Sequence, residues 1–218
     1  MKKKTAIVLG ATGLTGRYLL DLLLQSDTYE NVKVFTRTPT NKQHPKLEEI
    51  VCDLLHLEQH AKDFTADEVF CCIGTTKAET PDKKRYHAID YGIPVSAAKL
   101  AELNNIPTFS VISAMGADAN SSVFYSKTKG EMEQEVLKCD IPNVLVYRPS
   151  LIYGERKDSR WAENIGTVLM KGLQFLLIGP LKKYRAIRGE DLAKALFLGT
   201  HRKGHQIILR DAFEQSSN

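Results

Sequence analysis

The stretch Ala6-Ile7-Val8-Leu9-Gly10-Ala11-Thr12-Gly13-Leu14-Thr15-Gly16-Arg17-Tyr18-Leu19-Leu20 decides how this chain folds. An apolar run, a glycine-rich turn and a leucine-rich run ending near Gln25 read as strand, turn and helix in direct succession. The start of such a helix presents unpaired N–H groups and the positive end of its dipole, which suits a diphosphate. Gly10, Gly13 and Gly16 allow the tight turn, the close approach of backbone to ligand and the close contact of helix with strand. The spacing is GxxGxxG and not GxGxxG, so the flanking strand and helix carry the reading more than the motif does. Gly16 is followed by Arg17-Tyr18, without the Lys and hydroxyl residue that a P-loop needs, which argues against phosphoryl transfer.

Outward from this turn, strand-like and helix-like segments alternate to the end of the chain. Strands are expected near Thr5–Leu9, Lys33–Thr36, Glu49–Val51, Glu68–Cys72, Thr108–Ile112, Asn143–Tyr147 and Gln206–Leu209. Helices are expected near Leu14–Gln25, Leu55–Lys62, Asp82–Asn104, Val123–Lys138, Ile165–Leu173 and Gly189–Thr200, with Pro94 interrupting the third. This order predicts an α/β Rossmann fold: one doubly wound parallel sheet of about seven strands with helices on both faces. The 218 residues then form a single NAD(P)-binding domain, in which the irregular segment Leu151–Arg188 serves as a small substrate-binding lid.

Composition narrows the partners. Thirty basic against 26 acidic residues leave a net charge of +4, too balanced to favour nucleic acid. No run approaches the roughly 18 apolar residues of a membrane span, and the basic start Met1-Lys2-Lys3-Lys4 makes a poor signal peptide because Gly10 cuts short the apolar run behind it. Cys52, Cys71, Cys72 and Cys139 lack disulfide or metal spacing and read as free thiols in a reducing cytoplasm. His56 and His60 share a helix face beside Glu58 and Lys62, and read as solvated rather than metal-binding. The basic run Lys182-Lys183-Tyr184-Arg185 reads as a solvated turn, and Trp161 fits a pocket or the core equally. A hydrolase elbow, Gly-x-Ser-x-Gly, is missing.

The second strand ends Val34-Phe35-Thr36-Arg37, where an acid would favour NAD by bonding the ribose 2′-hydroxyl. Arg37 instead matches a 2′-phosphate, so NADP (NADPH) is the expected cofactor. Asp53-Leu54 follows the third strand, near the adenine or as a helix N-cap. Ile73-Gly74-Thr75 follows the fourth, with Gly74 suited to close passage over the cofactor.

Ser113 closes the fifth strand, and Tyr125 and Lys129 fall at i and i+4 on the next helix, whereas Lys127 points elsewhere. An ammonium beside a phenol draws its pKa down from about 10 and makes Tyr125 a usable proton donor or acceptor. A Ser hydroxyl can bond the substrate oxygen whose charge grows during hydride transfer. The outer face of that helix carries Lys127, Glu131, Glu133, Glu135 and Lys138, which favours a monomer over pairing through this helix.

Gly10 to Gly16, Ser113, Tyr125-x-x-x-Lys129 and Arg148-Pro149-Ser150 together resemble the short-chain dehydrogenase/reductase superfamily in its atypical or extended NAD(P)-binding branch. The runs Cys71 to Thr76 and Ser113 to Asp118, continuing through Tyr125 to Glu131, are similar to the Tat-interactive-protein-like oxidoreductases. The resemblance spans about Thr5 to Leu198 and implies NADP(H) held by Gly10, Thr12, Gly13, Leu14, Thr15, Gly16, Arg37, Asp53, Leu54, Ile73, Gly74 and Thr75. It further implies that Ser113, Tyr125 and Lys129 are catalytic, that Tyr125 and Lys129 also touch the cofactor, and that Pro149, Ser150 and Leu151 flank the nicotinamide. Extended members carry Arg-Pro-Gly where this chain has Arg148-Pro149-Ser150. The expected activity is NADP(H)-dependent hydride transfer to or from a small carbonyl or alcohol. The alternative is a non-catalytic NADP(H)-binding redox sensor that acts on a protein partner. A nucleotide-sugar epimerase ranks third, since it needs NAD and a larger C-terminal part.

Overall fold

The computed structural model describes residues 2–154, 185–210 and 212–213. Strand β1 (Lys4–Leu9) runs into the glycine turn and helix α1 (Gly16–Gln25) leaves it. Strands β2 (Tyr29–Thr36), β3 (Leu47–Val51), β4 (Glu68–Cys71), β5 (Thr108–Ile112) and β6 (Asn143–Arg148) follow. Short strands β7 (Ile152–Tyr153) and β8 (Ile187–Arg188) pair with each other, and β9 (Gly204–Leu209) completes the main sheet. That sheet has the order β3-β2-β1-β4-β5-β6-β9 with every pairing parallel. The direction of winding reverses between β1 and β4, which opens a crevice at the carboxyl ends of these strands.

Alternation along β1 divides the core. Ile7 and Leu9 face helices α3 (Ile93–Leu103) and α4 (Phe124–Val136) together with the 3₁₀ segment Leu54–His60. Ala6 and Val8 face α1 and the last helix, α5 (Gly189–Gly199). Both faces of the central strands are covered, so those strands are mainly apolar, as is usual in parallel sheets. Leu19, Leu20, Leu23 and Leu24 of α1 are buried, each contributing about 1.5–3 kcal/mol of transfer free energy. The expected fold is present, and the sheet has the expected seven strands.

Four local features depart from the expected reading. The long stretch Asp82–Asn104 divides into α2 (Lys83–His87), a π turn (Ala88–Gly92) and α3. Pro94 has no N–H to bond the carbonyl four residues back, and the adjustment falls on the turn before it, where the Ile93 N–H reaches the Ala88 oxygen. Leu55–Lys62 is a 3₁₀ segment with a kink at His56, not an α-helix. Glu133 is buried, which corrects its assignment to the outer face of α4: it lies four residues past Lys129 and shares that side of the helix. The β7–β8 pair was not foreseen, because two-residue strands show no alternation to read. The helix expected at Ile165–Leu173, Trp161, Lys182, Lys183, Tyr184 and most of the expected lid lie outside the described residues.

Candidate functional site

At the reversal of the sheet, Gly10 adopts φ +80°, and a Cβ there would lie 2.7 Å from the Cys72 carbonyl oxygen. A Cβ at Gly16 would lie 2.1 Å from the Gly10 oxygen, so the start of α1 presses directly on the turn. Gly13 and Thr12 are exposed, and among the described residues the only atom near a Cβ at Gly13 is the Gly10 oxygen, at 3.3 Å. The N–H groups of Leu14 and Thr15 have no partner among the described residues, and no side chain caps the helix. This loop fits a pyrophosphate: its donors are open and its glycine leaves the space that a side chain would fill.

Register places the rest of this edge of the sheet. Leu9 pairs with Phe35, so Arg37 emerges from β2 beside the glycine turn, exposed and without an ion pair among the described residues. Asp53 takes its N-cap role, accepting the Leu55 N–H at 3.0 Å, with Leu54 buried behind it. Across the crevice, a Cβ at Gly74 would lie 3.7 Å from Asp90 Oδ1 and 4.0 Å from Lys129 Nζ, so this backbone passes directly over that pair. The Thr75 N–H donates to Asp90 Oδ2 at 2.8 Å, its hydroxyl bonds that of Thr80 at 2.9 Å, and its carbonyl accepts the Tyr86 hydroxyl at 3.1 Å. Ile73 leaves β4 just before this loop, partly buried against the core.

Tyr125 and Lys129 share one side of α4, as their spacing requires. Lys129 is almost fully buried, with Nζ 3.1 Å from Asp90 Oδ1 and 3.4 Å from the Ile112 carbonyl oxygen. Burial opposes the charge of Lys129, but the adjacent Asp90 carboxylate outweighs it and holds the ammonium above the usual lysine range. Tyr125 keeps 42% of its surface exposed. Desolvation around its hydroxyl raises its pKa, Lys129 pulls the value back and Asp90 pushes it up, leaving it above 10. The expected downward pull of the lysine is present but outweighed by burial and by Asp90.

Ser113 is not brought into the same cluster. Its hydroxyl donates to Glu133 Oε1, and Arg148 Nε donates to that same oxygen at 2.9 Å. Buried Ser113 and Glu133 and half-buried Arg148 form a clamp that joins β5, α4 and β6. The Met115 N–H reaches the Pro149 carbonyl oxygen at 2.8 Å, the Ser150 hydroxyl donates to the Arg185 carbonyl, and the Ile187 N–H bonds the Leu151 carbonyl at 2.9 Å. Pro149, Ser150 and Leu151 thereby join the crevice to β7 and β8. Sequence reasoning missed Asp90 and Glu133, and also Gly154 and Gly189, where a Cβ would come within 2.9 Å of the Leu14 side chain. The i, i+4, i+8 series Tyr125, Lys129, Glu133 was the signal for Glu133.

A family model described as NAD(P)H-binding matches residues 10–160. The FMP52-1 protein of Scheffersomyces stipitis, named as mitochondrial, is 33% identical over 165 residues, covering 73% of this chain and 72% of its own. Protein HTATIP2 of Rattus norvegicus is 30% identical, covering 75% of this chain and 69% of its own. Among solved structures, a Thermotoga maritima UDP-glucose 4-epimerase superposes with TM-score 0.70 at 15% identity, covering 94% of this chain and 76% of its own, which is a likeness of fold. The expected cytoplasmic location is corrected by the FMP52 relatives, which are named mitochondrial proteins. Cysteines without disulfide spacing do not distinguish one reducing compartment from another. The glycine turn, the parallel sheet and these relatives together show that the chain belongs to the extended short-chain-dehydrogenase-like NAD(P)H-binding family that includes FMP52 and HTATIP2.

Proposed function

We propose that this chain is an NADP(H)-dependent oxidoreductase acting on a small carbonyl compound or its alcohol, with Tyr125 exchanging the proton. The observation that carries this reading is the placement of Tyr125 and buried Lys129 on one side of α4, beside the Gly74 loop at the reversal of the sheet. A bound nicotinamide supplies or receives the hydride. In carbonyl reduction Tyr125 gives its phenolic proton to the substrate oxygen, and in alcohol oxidation the phenolate takes it back. The Lys129 ammonium favours that phenolate. The Gly10–Gly16 loop holds the pyrophosphate through backbone N–H groups, and Arg37 offers a fork to a 2′-phosphate, which supports NADP(H) over NAD(H). Pro149, Ser150 and Leu151 bound the nicotinamide end.

A specific observation favours a second reading, a non-catalytic NADP(H) sensor with a protein partner. The Ser113 proton is committed to Glu133, so the hydrogen bond to a substrate oxygen requires that clamp to open. Consumption of NADPH across aldehydes, ketones and quinones separates the two. The enzyme reading expects turnover with at least one class, lowered by about 10²–10⁴-fold in Tyr125→Phe with NADPH affinity retained. Equal turnover in the variant removes Tyr125 from the chemistry, and NADPH binding with no turnover anywhere favours the sensor.

A further inference from the structure

We propose that Asp90 is the positioning residue of the Tyr125–Lys129 pair: a buried carboxylate that holds the Lys129 ammonium beneath Gly74 and ties that loop to α4. This rests on the oxidoreductase reading for its purpose, but not for its geometry. Asp90 is 1% exposed and sits in the π turn, a distortion often kept where a side chain must be aimed. Its two oxygens are divided between two elements. Oδ2 accepts the Thr75 N–H at 2.8 Å, and Oδ1 lies 3.1 Å from Lys129 Nζ, close enough for an ion pair but not aligned for a regular hydrogen bond. A Cβ at Gly74 would touch both partners, so the chain leaving β4 covers the pair.

Physical chemistry gives the carboxylate its consequence. An ammonium with 3% of its side chain exposed loses most of its hydration, and a buried lysine without a counter-charge gives up its proton several units early. A buried ion pair adds little net stability, because desolvation offsets the attraction, so this pair is better explained by what it places than by what it stabilises. Among the described residues, the other titratable groups that face it are Tyr125 from α4, Tyr86 from α2 and Cys71 from β4, and none of these is an anion at neutral pH to replace Asp90. Asp90 thus sets the charge of Lys129 and, through it, the proton held by Tyr125.

The test is a pH titration of ¹³Cε-lysine signals in the cofactor-free full chain, with Lys129 assigned by Lys129→Arg. In the wild type, Lys129 stays charged beyond pH 10. In Asp90→Asn, which keeps an acceptor for Thr75, its midpoint falls by about 2 units or more. A midpoint unchanged in Asp90→Asn overturns the proposal, since a merely structural aspartate would leave that charge alone. Should Asp90→Asn fail to fold, the wild type still decides, because titration of Lys129 below pH 9 overturns the proposal on its own. No cofactor enters this measurement, so failure of the oxidoreductase reading would show as absent NADPH binding and not as an altered lysine midpoint.

Discussion

Glu68 opens β4 and Asp90 sits under the loop that leaves it; both carboxylates are buried, at 2% and 1% exposure, yet their surroundings differ. Glu68 is satisfied from within the sheet, by Lys4 Nζ at 2.6 Å on β1 and by the Tyr29 hydroxyl on β2. Asp90 is shared between a loop and a distant helix, and one of its oxygens lacks a regular hydrogen bond among the described residues. Buried polar atoms nearly always have a hydrogen-bond partner, so a carboxylate oxygen without one sets this end of the sheet apart from the other. At the amino-terminal edge the carboxylate joins strands of the sheet; at the carboxyl-terminal edge it joins a loop to a helix.

The largest break in this comparison is expected from Glu68→Leu. It leaves the buried Tyr29 hydroxyl without its carboxylate partner and costs about 3 kcal/mol of stability. Urea unfolding reads the loss, while NADPH affinity stays at the wild-type value. A loss of affinity matching the loss of stability would erase the distinction between the two edges.

A smaller effect concerns the last residue of β4. Burial pushes the Cys71 thiol up to about 11, despite help from the Ile73 N–H and the Lys129 charge. The folded chain therefore keeps this proton at a pH where the unfolded chain has lost it. Stability from this group is full below about pH 9 and falls as pH rises towards 11. Cys71→Ala flattens the decline between those values by about 2 kcal/mol, whatever it costs in packing. Denaturation midpoints across the alkaline range check this, and an unchanged slope contradicts the burial account of the thiol.

The two edges also differ in how much of each was legible in the sequence. The strand Thr108–Ile112 was readable to the residue, because burial on both faces favours a β-prone run rich in apolar side chains, here Phe109, Val111 and Ile112. The glycine turn was readable for the same kind of reason: Gly10 and Gly16 are dictated by contacts of 2.7 and 2.1 Å that no side chain survives. Asp90 was hidden, because an acid amid His87, Ala88, Ile89 and Tyr91 looks solvated until the π turn rotates it inward. Pro94 signalled the distortion but not the direction in which it would aim the side chain. Ser113 was legible as a residue at a strand end, but its partner was not, since Glu133 came from a helix rich in charge. Sequence periodicity locates backbone well; it does not show which of two polar groups a hydroxyl will choose.

Ligand-induced thermal stabilisation of the full chain is the most direct test of the claim that the Gly10–Gly16 loop cradles the pyrophosphate of a nicotinamide cofactor. NADPH at 100 times its Kd is predicted to add about 2.7 kcal/mol and raise Tm, with NADH giving a smaller rise at the same concentration. A Tm unmoved by either nucleotide would contradict the account.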